Sequence, residues 1–207
     1  MKLLLVAIIA AELLLPARGW GQRSPVTLVR PATAAPETKQ ARYVQLDQYA
    51  RYLPEIQSTT LEKLAVNLAA YAHTDDDKAR LIFAWLAYHV AYDNTYPSGD
   101  ITQYYCRCKP AFVLQSRKAI CMGYADLFTD LATRMKLEAV TVTGHGHNSS
   151  ATGNVLAEVH GHGWNAYRIA SAWHLADATW GAGGTSTETN EFEYRFELFG
   201  SIRRLSR

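Results

Sequence analysis

The stretch HTDDDKARLIFAWLAYHVAYD (73–93) constrains the chain most. Leu81, Ala84, Trp85, Tyr88 and His89 recur at helical spacing along one face, Thr74 stands where a cap is needed, and Asp75, Asp76 and Asp77 sit at the positive end. This is the strongest helical pattern in the sequence. Consecutive aspartates at a helix start point in different directions, and the alternating oxygen ligands and late glutamate of an EF-hand are missing, so the run is not read as a calcium site. His89 lies on a largely apolar face and reads as a packed side chain.

A second helix is expected over TTLEKLAVNLAAYA (59–72), where Thr59 and Glu62 have capping-box spacing and Leu61, Leu64, Ala65, Leu68 and Ala72 repeat at helical intervals. Residues 94–117 hold turn-formers followed by PAFVLQSR, a short helix leading into KAICMGYADLF (118–128). From Gly123 onward Ala125, Phe128, Leu131, Ala132 and Met135 keep the 3.6-residue period, which puts Cys121 at or just before a helix N-terminus. EAVTVTG (138–144) then alternates like a strand, HGHNSSATGN (145–154) is a polar loop, and residues 159–184 form two aromatic-rich β runs joined near Ala170. With the turn there, His162 lies opposite a position within about two residues of Asp177, inside the reach of cross-strand neighbours. Asn148 begins an N-x-S sequon, a match too common to carry weight.

A cysteine nucleophile needs a lowered thiol pKa, a base in hydrogen-bond reach and a group that orients the base. Cys121 at a helix start, His162 on a strand and Asp177 beside it meet those needs, and backbone N–H groups at the helix start are candidate oxyanion donors. Taken singly, each has a plainer reading: a buried apolar cysteine, an exposed loop histidine, a turn aspartate. Spacing alone does not choose His162 over His145, His147, His160 or His174.

Three ordered motifs, RKAICMGYADLF, HGHGWNAY and WHLADATWGAG, resemble the transglutaminase-like superfamily, and its protease-like branch most closely. The end of the first helix, AWLAYHVAYD, matches the segment that precedes the cysteine in that branch, and the likeness covers about residues 74–184. The resemblance implies an α+β, papain-like fold, with the cysteine on a helix N-terminus packed against an antiparallel sheet that carries the histidine and the aspartate. It assigns Cys121 as nucleophile, His162 as base because it stands two residues before Trp164, and Asp177 as orienter. Trp164, Asn165, Trp180, Gly123 and Tyr124 fall at supporting positions. Two residues depart from the family pattern: Ala119 stands for glycine and Gly163 for alanine. The chain also closes with RFELFGSIRRLSR (195–207) where the family continues through further strands. The implied chemistry is acyl transfer at amide bonds, with water or an amine as acceptor and a protein or cell-wall peptide as substrate. No cofactor is implied. A non-catalytic binding or scaffolding module with the same fold is the alternative.

The ends and the composition complete these expectations. Lys2, the apolar run LLLVAIIAAELLL (3–15) broken by Glu12, and the small-x-small site ARG (17–19) describe a signal peptide cut after Gly19, hence an exported protein. The apolar run is too short for the roughly 20 residues of a membrane span. Residues 20–58, with several prolines and little periodicity, are expected to be a linker or extended arm with room for one short helix, and 59–207 the transglutaminase-like domain. Twenty-one Lys and Arg against 19 Asp and Glu give a net charge of +2, which does not point to nucleic acid. Cys106 and Cys108 are too close in sequence for an unstrained bridge, and C-x-C without a second cluster is a poor metal motif.

Overall fold

In this computed structural model, residues 38–54, 59–95, 101–146, 160–185 and 192–194 are described. The signal segment, the first part of the arm, His147 and the Asn148 sequon lie outside them. Helices come first: α1 (Lys39–Arg51), α2 (Leu61–Tyr71) and α3 (Asp75–His89). After the two-residue strand β1 (Ala91–Tyr92) come α4 (Ile101–Cys108), α5 (Pro110–Ser116), strand β2 (Lys118–Ala119) and α6 (Cys121–Arg134). The sheet follows as β3 (Ala139–Gly146), β4 (His160–Ile169) and β5 (Ala172–Ala176), then α7 (Ala178–Ala182) and the short pair β6 (Gly183–Thr185) and β7 (Phe192–Tyr194). The order β3-β4-β5 is antiparallel throughout. The fold is therefore α+β, as expected.

α3 is the central helix. Its N-cap Thr74 accepts from the Asp77 N–H at 3.1 Å. Every residue from Ala79 to Ala87 is buried, not just those of the expected face, because α1, α6 and α7 pack around it. His89 stacks on Trp85, and its Nε2 lies 3.0 Å from the Ala50 carbonyl oxygen, which makes it the packed histidine expected. The three aspartates part company: Asp75 pairs with Lys78, Asp76 with Lys39 and the Tyr43 hydroxyl, and Asp77 with Arg42.

α1 lies inside the segment expected to be linker or arm, and this thirteen-residue helix packs on the core through Leu46 and Ala50. Thr38 caps it, Leu46 and Ala50 are fully buried, and it is fastened to α3 by Arg42 on Asp77 and by a two-bond Arg80–Asp47 pair at 2.7 and 2.6 Å. α2 is capped by Thr60, whose hydroxyl accepts from the Lys63 N–H at 3.1 Å, one residue later than the capping box placed it. Residues 101–108, taken from sequence as turn-forming, are helix α4.

The parallel pair β1–β2 is short, yet it brings the end of α3 beside the start of α6. The Ala91 N–H donates to Arg117 and the Asp93 N–H to Ala119, each at 2.9 Å. Tyr92 and Asp93 thereby reach the first turn of α6. Close approach here depends on Gly123, since a Cβ at that position would stand 2.8 Å from the Ala119 Cβ and 3.0 Å from the Val113 Cγ2.

Candidate active site

α6 begins at Cys121, with Ile120 as an N-cap that offers no side-chain hydrogen bond. The first turn of a helix has N–H groups without intrahelical acceptors, and each needs a destination. Here the Met122 N–H is directed at the sulfur of Cys121, the Gly123 N–H at the sulfur of Cys108, and the Tyr124 N–H at the Ile120 carbonyl. Cys108 thus supplies the cap that Ile120 lacks. Its thiol is pushed up to about 11 by burial and by the negative charges of Asp126 and Cys121. The N–H of Cys121 itself belongs to the same turn, at the positive end of the helix dipole.

The hairpin between β4 and β5 turns at Ala170, in a left-handed conformation with φ 52°. Its last pair is Asn165 opposite Ala176. β5 ends there while β4 continues back to His160, leaving the 160–164 stretch of β4 paired on the β3 side and unpaired by β5. Cys121 occupies this notch, and the Gly163 N–H is directed at its sulfur. Asp177 follows β5 directly, two register steps from His162 as the spacing predicts.

His162 Nε2 and Asp177 Oδ2 are 2.7 Å apart. With Nε2 committed to the aspartate, Nδ1 is the nitrogen left for the hydrogen bond between this ring and Cys121. Asp177 is itself held: its other oxygen, Oδ1, accepts the Trp180 N–H at 3.0 Å and so caps α7. The imidazole stacks on Trp180 at 4.6 Å and on Trp164 at 5.8 Å between ring centres. Trp164 has room because its neighbour is Gly144, where a Cβ would come within 2.7 Å of the indole.

Burial works against both charges of the pair, and hydrogen bonding overrides it. His162 is disfavoured as a cation by desolvation, but its bonds to Asp177 and Cys121 and their charges lift it to about 9. Burial would raise the thiol of Cys121, but the His162 bond, the Gly163 N–H, the imidazolium charge and the Met122 N–H hold it below the usual thiol value. The two shifts together favour thiolate beside imidazolium at neutral pH.

A cleft of about 620 Å³ opens over this pair. Tyr92, Asp93 and Asn94 line it from beyond α3, Thr143, Gly144 and Gly161 from β3 and β4. Burial raises the phenol of Tyr92, and the neighbouring charges of Cys121 and Asp93 raise it further, so its O–H stays a donor. Asp93 is tied down by Thr95 and by Arg107 at 2.9 Å, and its carboxyl lies below the usual range because those bonds outweigh burial.

Of the supporting residues, Tyr124 is buried with its hydroxyl donating to the Val90 carbonyl. Asn165 is buried under the sheet, its amide donating to the Ala125 carbonyl at 2.9 Å and to Thr129 Oγ1 at 3.0 Å. Gly163 faces Met122, and a Cβ there would meet the Met122 Sδ at 2.6 Å, so glycine at this position matches a long side chain after the cysteine. Among the competing histidines, His174 stacks on Tyr167 at the far end of the hairpin. His145 and His160 lie on β3 and β4 beyond the pair. The sequence reading missed Tyr92 as a cleft residue and Cys108 as a cap. The first was within the quoted AWLAYHVAYD segment, while nothing local signals the second. Among the described residues no group of three or more His, Cys, Asp or Glu side chains gathers for a metal ion, and no helix is long and apolar enough to cross a membrane.

Comparison with known proteins bears on this arrangement. Kyphoscoliosis peptidase of Homo sapiens is 31% identical over 159 residues, covering 76% of this chain and 23% of that protein. The Mus musculus kyphoscoliosis peptidase is 32% identical over 140 residues, covering 67% and 21%. The chain thus spans less than a quarter of the length of these curated relatives. Among solved structures, a Cytophaga hutchinsonii protein described as a candidate cysteine protease aligns with a TM-score of 0.46 at 20% identity, covering 66% of this chain and 42% of that one. A TGase aligns with a TM-score of 0.43 at 19% identity, covering 86% and 41%. The family model described as the transglutaminase-like superfamily matches residues 62–178, a span that takes in the cysteine, the histidine and the aspartate together. On that match and on the identity to the human peptidase over three quarters of this chain, the chain belongs to the transglutaminase-like superfamily.

Proposed function

We propose that this protein is an exported cysteine enzyme that transfers acyl groups from amide bonds through Cys121, His162 and Asp177. One observation carries the reading: a single imidazole is bonded to the Cys121 sulfur on one side and to Asp177 on the other. The thiolate of Cys121 attacks the amide carbonyl, and the C–N bond breaks as His162 gives its Nδ1 proton to the departing amine. A thioester remains on Cys121. Water, deprotonated by the now neutral His162, then attacks the thioester, releasing the acid and returning the thiolate–imidazolium pair. A primary amine in place of water would give transamidation. Hydrolysis is the favoured branch, since the curated relatives carry the name peptidase. The Cys121 N–H and the Tyr92 hydroxyl are the two donors we assign to the oxyanion. Asp177 holds the ring and steadies its positive charge. The substrate class is a protein or cell-wall peptide, and the export signal is that of residues 1–19.

The test is the rate of iodoacetamide labelling at Cys121 against pH in a Cys106→Ser background, with and without His162→Ala. Cys108 stays in place because its sulfur caps α6. Fast labelling well below the free-thiol pKa of about 8.5, lost with His162, supports the pair. A Cys121 that titrates as a free thiol, or reacts only after unfolding, leaves the fold as a binding module. Release of amine from peptide amides, against incorporation of a fluorescent primary amine into them, then separates hydrolysis from transamidation.

A further inference from the structure

Below the reacting pair, a chain of side chains joins α6 to strands β3 and β4. The Asn165 amide, with 1% of its surface exposed, donates one hydrogen to the Ala125 carbonyl oxygen and the other to Thr129 Oγ1. The amide nitrogen has to face this way, because an amide oxygen turned here would meet the Ala125 carbonyl oxygen with no proton between them. Thr129 Oγ1 lies 3.0 Å from Thr141 Oγ1. Thr129 accepts from Asn165, and either hydroxyl of the Thr129–Thr141 pair can donate to the other. The Thr141 hydroxyl in turn faces Asp126 Oδ1 at 3.1 Å and the Ala125 carbonyl at 3.3 Å, both acceptors. One order of donation consistent with these contacts runs Asn165 to Thr129, Thr129 to Thr141, Thr141 to Asp126.

We propose that Thr129 and Thr141 are positioning residues, which together with Asn165 set the depth and rotation of α6 so that Cys121 meets His162 at hydrogen-bond distance. This rests on the reading of Cys121 and His162 as a reacting pair. The chain anchors the helix at three atoms, one a helical turn beyond Cys121 and the others within the next turn. It anchors the strands at Asn165, three residues from His162, and at Thr141, which is the register partner of Asn165. Apolar packing alone, as between Phe128 and Tyr167, tolerates small sliding. Directional hydrogen bonds tolerate far less, because their strength falls off steeply with angle and distance. A misplacement of about 1 Å between reacting groups can cost about 100-fold in rate, so the clamp lies where such a shift has to be prevented.

The experiment measures the pH profile of Cys121 labelling, with thermal stability alongside, in Thr129→Ala, Thr129→Ser and Thr141→Val, each in the Cys106→Ser background. Thr129→Ala is expected to move the acid limb up by about one pH unit, with a loss of up to about tenfold in labelling rate at pH values below the parent's midpoint, while converging on the parent rate at high pH. Thr129→Ser is expected to restore the profile, since it returns the hydroxyl. Thr141→Val keeps the shape of its side chain and is expected to behave as Thr129→Ala does, which covers the case in which the latter does not fold. A lowered melting temperature with an unmoved profile would reduce the chain to a purely structural role and overturn the proposal, as would failure of serine to rescue. A parent chain with no acid limb overturns this proposal and the catalytic reading together. A parent limb that survives both Thr129→Ala and Thr141→Val overturns this one alone.

Discussion

Asp177 carries two duties on one carboxylate, and they can be separated. Asp177→Asn keeps an oxygen for the Trp180 N–H but replaces the anion facing His162. The cap then survives while the imidazolium loses its partner, so turnover should fall by about 10²–10⁴-fold with little change in melting temperature. Asp177→Ala removes both functions and should also cost about 1 kcal/mol of stability, read by thermal unfolding. The pH dependence has a matching form. Activity rises as the Cys121 thiol ionises at its lowered value, holds while His162 keeps its proton, and falls as pH climbs through about 9. A kcat/KM profile measures both limbs, and His162→Ala should abolish the profile with the activity. At this scale the three residues that meet, Cys121, His162 and Asp177, could be picked out in the sequence because each stands in a motif. What was not marked is chemistry that depends on contact. Nothing in Y-Y-C-R-C says that Cys108 will receive a helix N–H, and nothing around Thr129 or Thr141 says that they will meet.

Between elements, glycine and charge decide the packing. Gly123→Ala would drive a methyl into Ala119 and Val113, both on elements that cannot withdraw freely, at a cost of about 1–3 kcal/mol. Denaturant unfolding should show the loss, and Cys121 labelling at neutral pH should slow as α6 is pushed from the cleft. α1 depends instead on ions. Burial would raise the carboxyl of Asp77, yet Arg42 and the His73 N–H outweigh it and hold it below the usual range. A lowered value means stabilisation that is complete above the unfolded carboxylate pKa of about 3.9 and lost as pH falls through the lower, folded one. Amide exchange over residues 39–51 should therefore accelerate, relative to α3, as pH falls below the unfolded carboxylate value. This element was not legible in advance, because only Leu46 and Ala50 of α1 are fully buried, and its attachment to α3 lies in partners more than thirty residues away. α2, α6 and the β4–β5 hairpin were legible, since their apolar periodicity or turn position is local.

Across the whole molecule, the three cysteines sort by environment. Cys106 is exposed, Cys121 is half-buried at the cleft and Cys108 is buried, with its thiol raised to about 11. Iodoacetamide should modify Cys106 and Cys121 in the native protein and reach Cys108 only on opening of the core. The Cys108 rate, followed by mass spectrometry across a denaturant series, then tracks global unfolding while Cys121 tracks the site. The α+β order of the chain was readable, with the long helices before position 135 and the three-stranded sheet after it. The notch left by the short β5 was not, because strand ends depend on pairing. α7 is only five residues long, is started by the Asp177 cap and leans on α3 through Gly181 against Phe83. Fraying of so short a segment frees the carboxylate that faces His162, so warming should slow the labelling of Cys121 reversibly at temperatures where the core is still intact. The reactive range of this cysteine is then bounded by a five-residue helix, and cooling alone should bring it back.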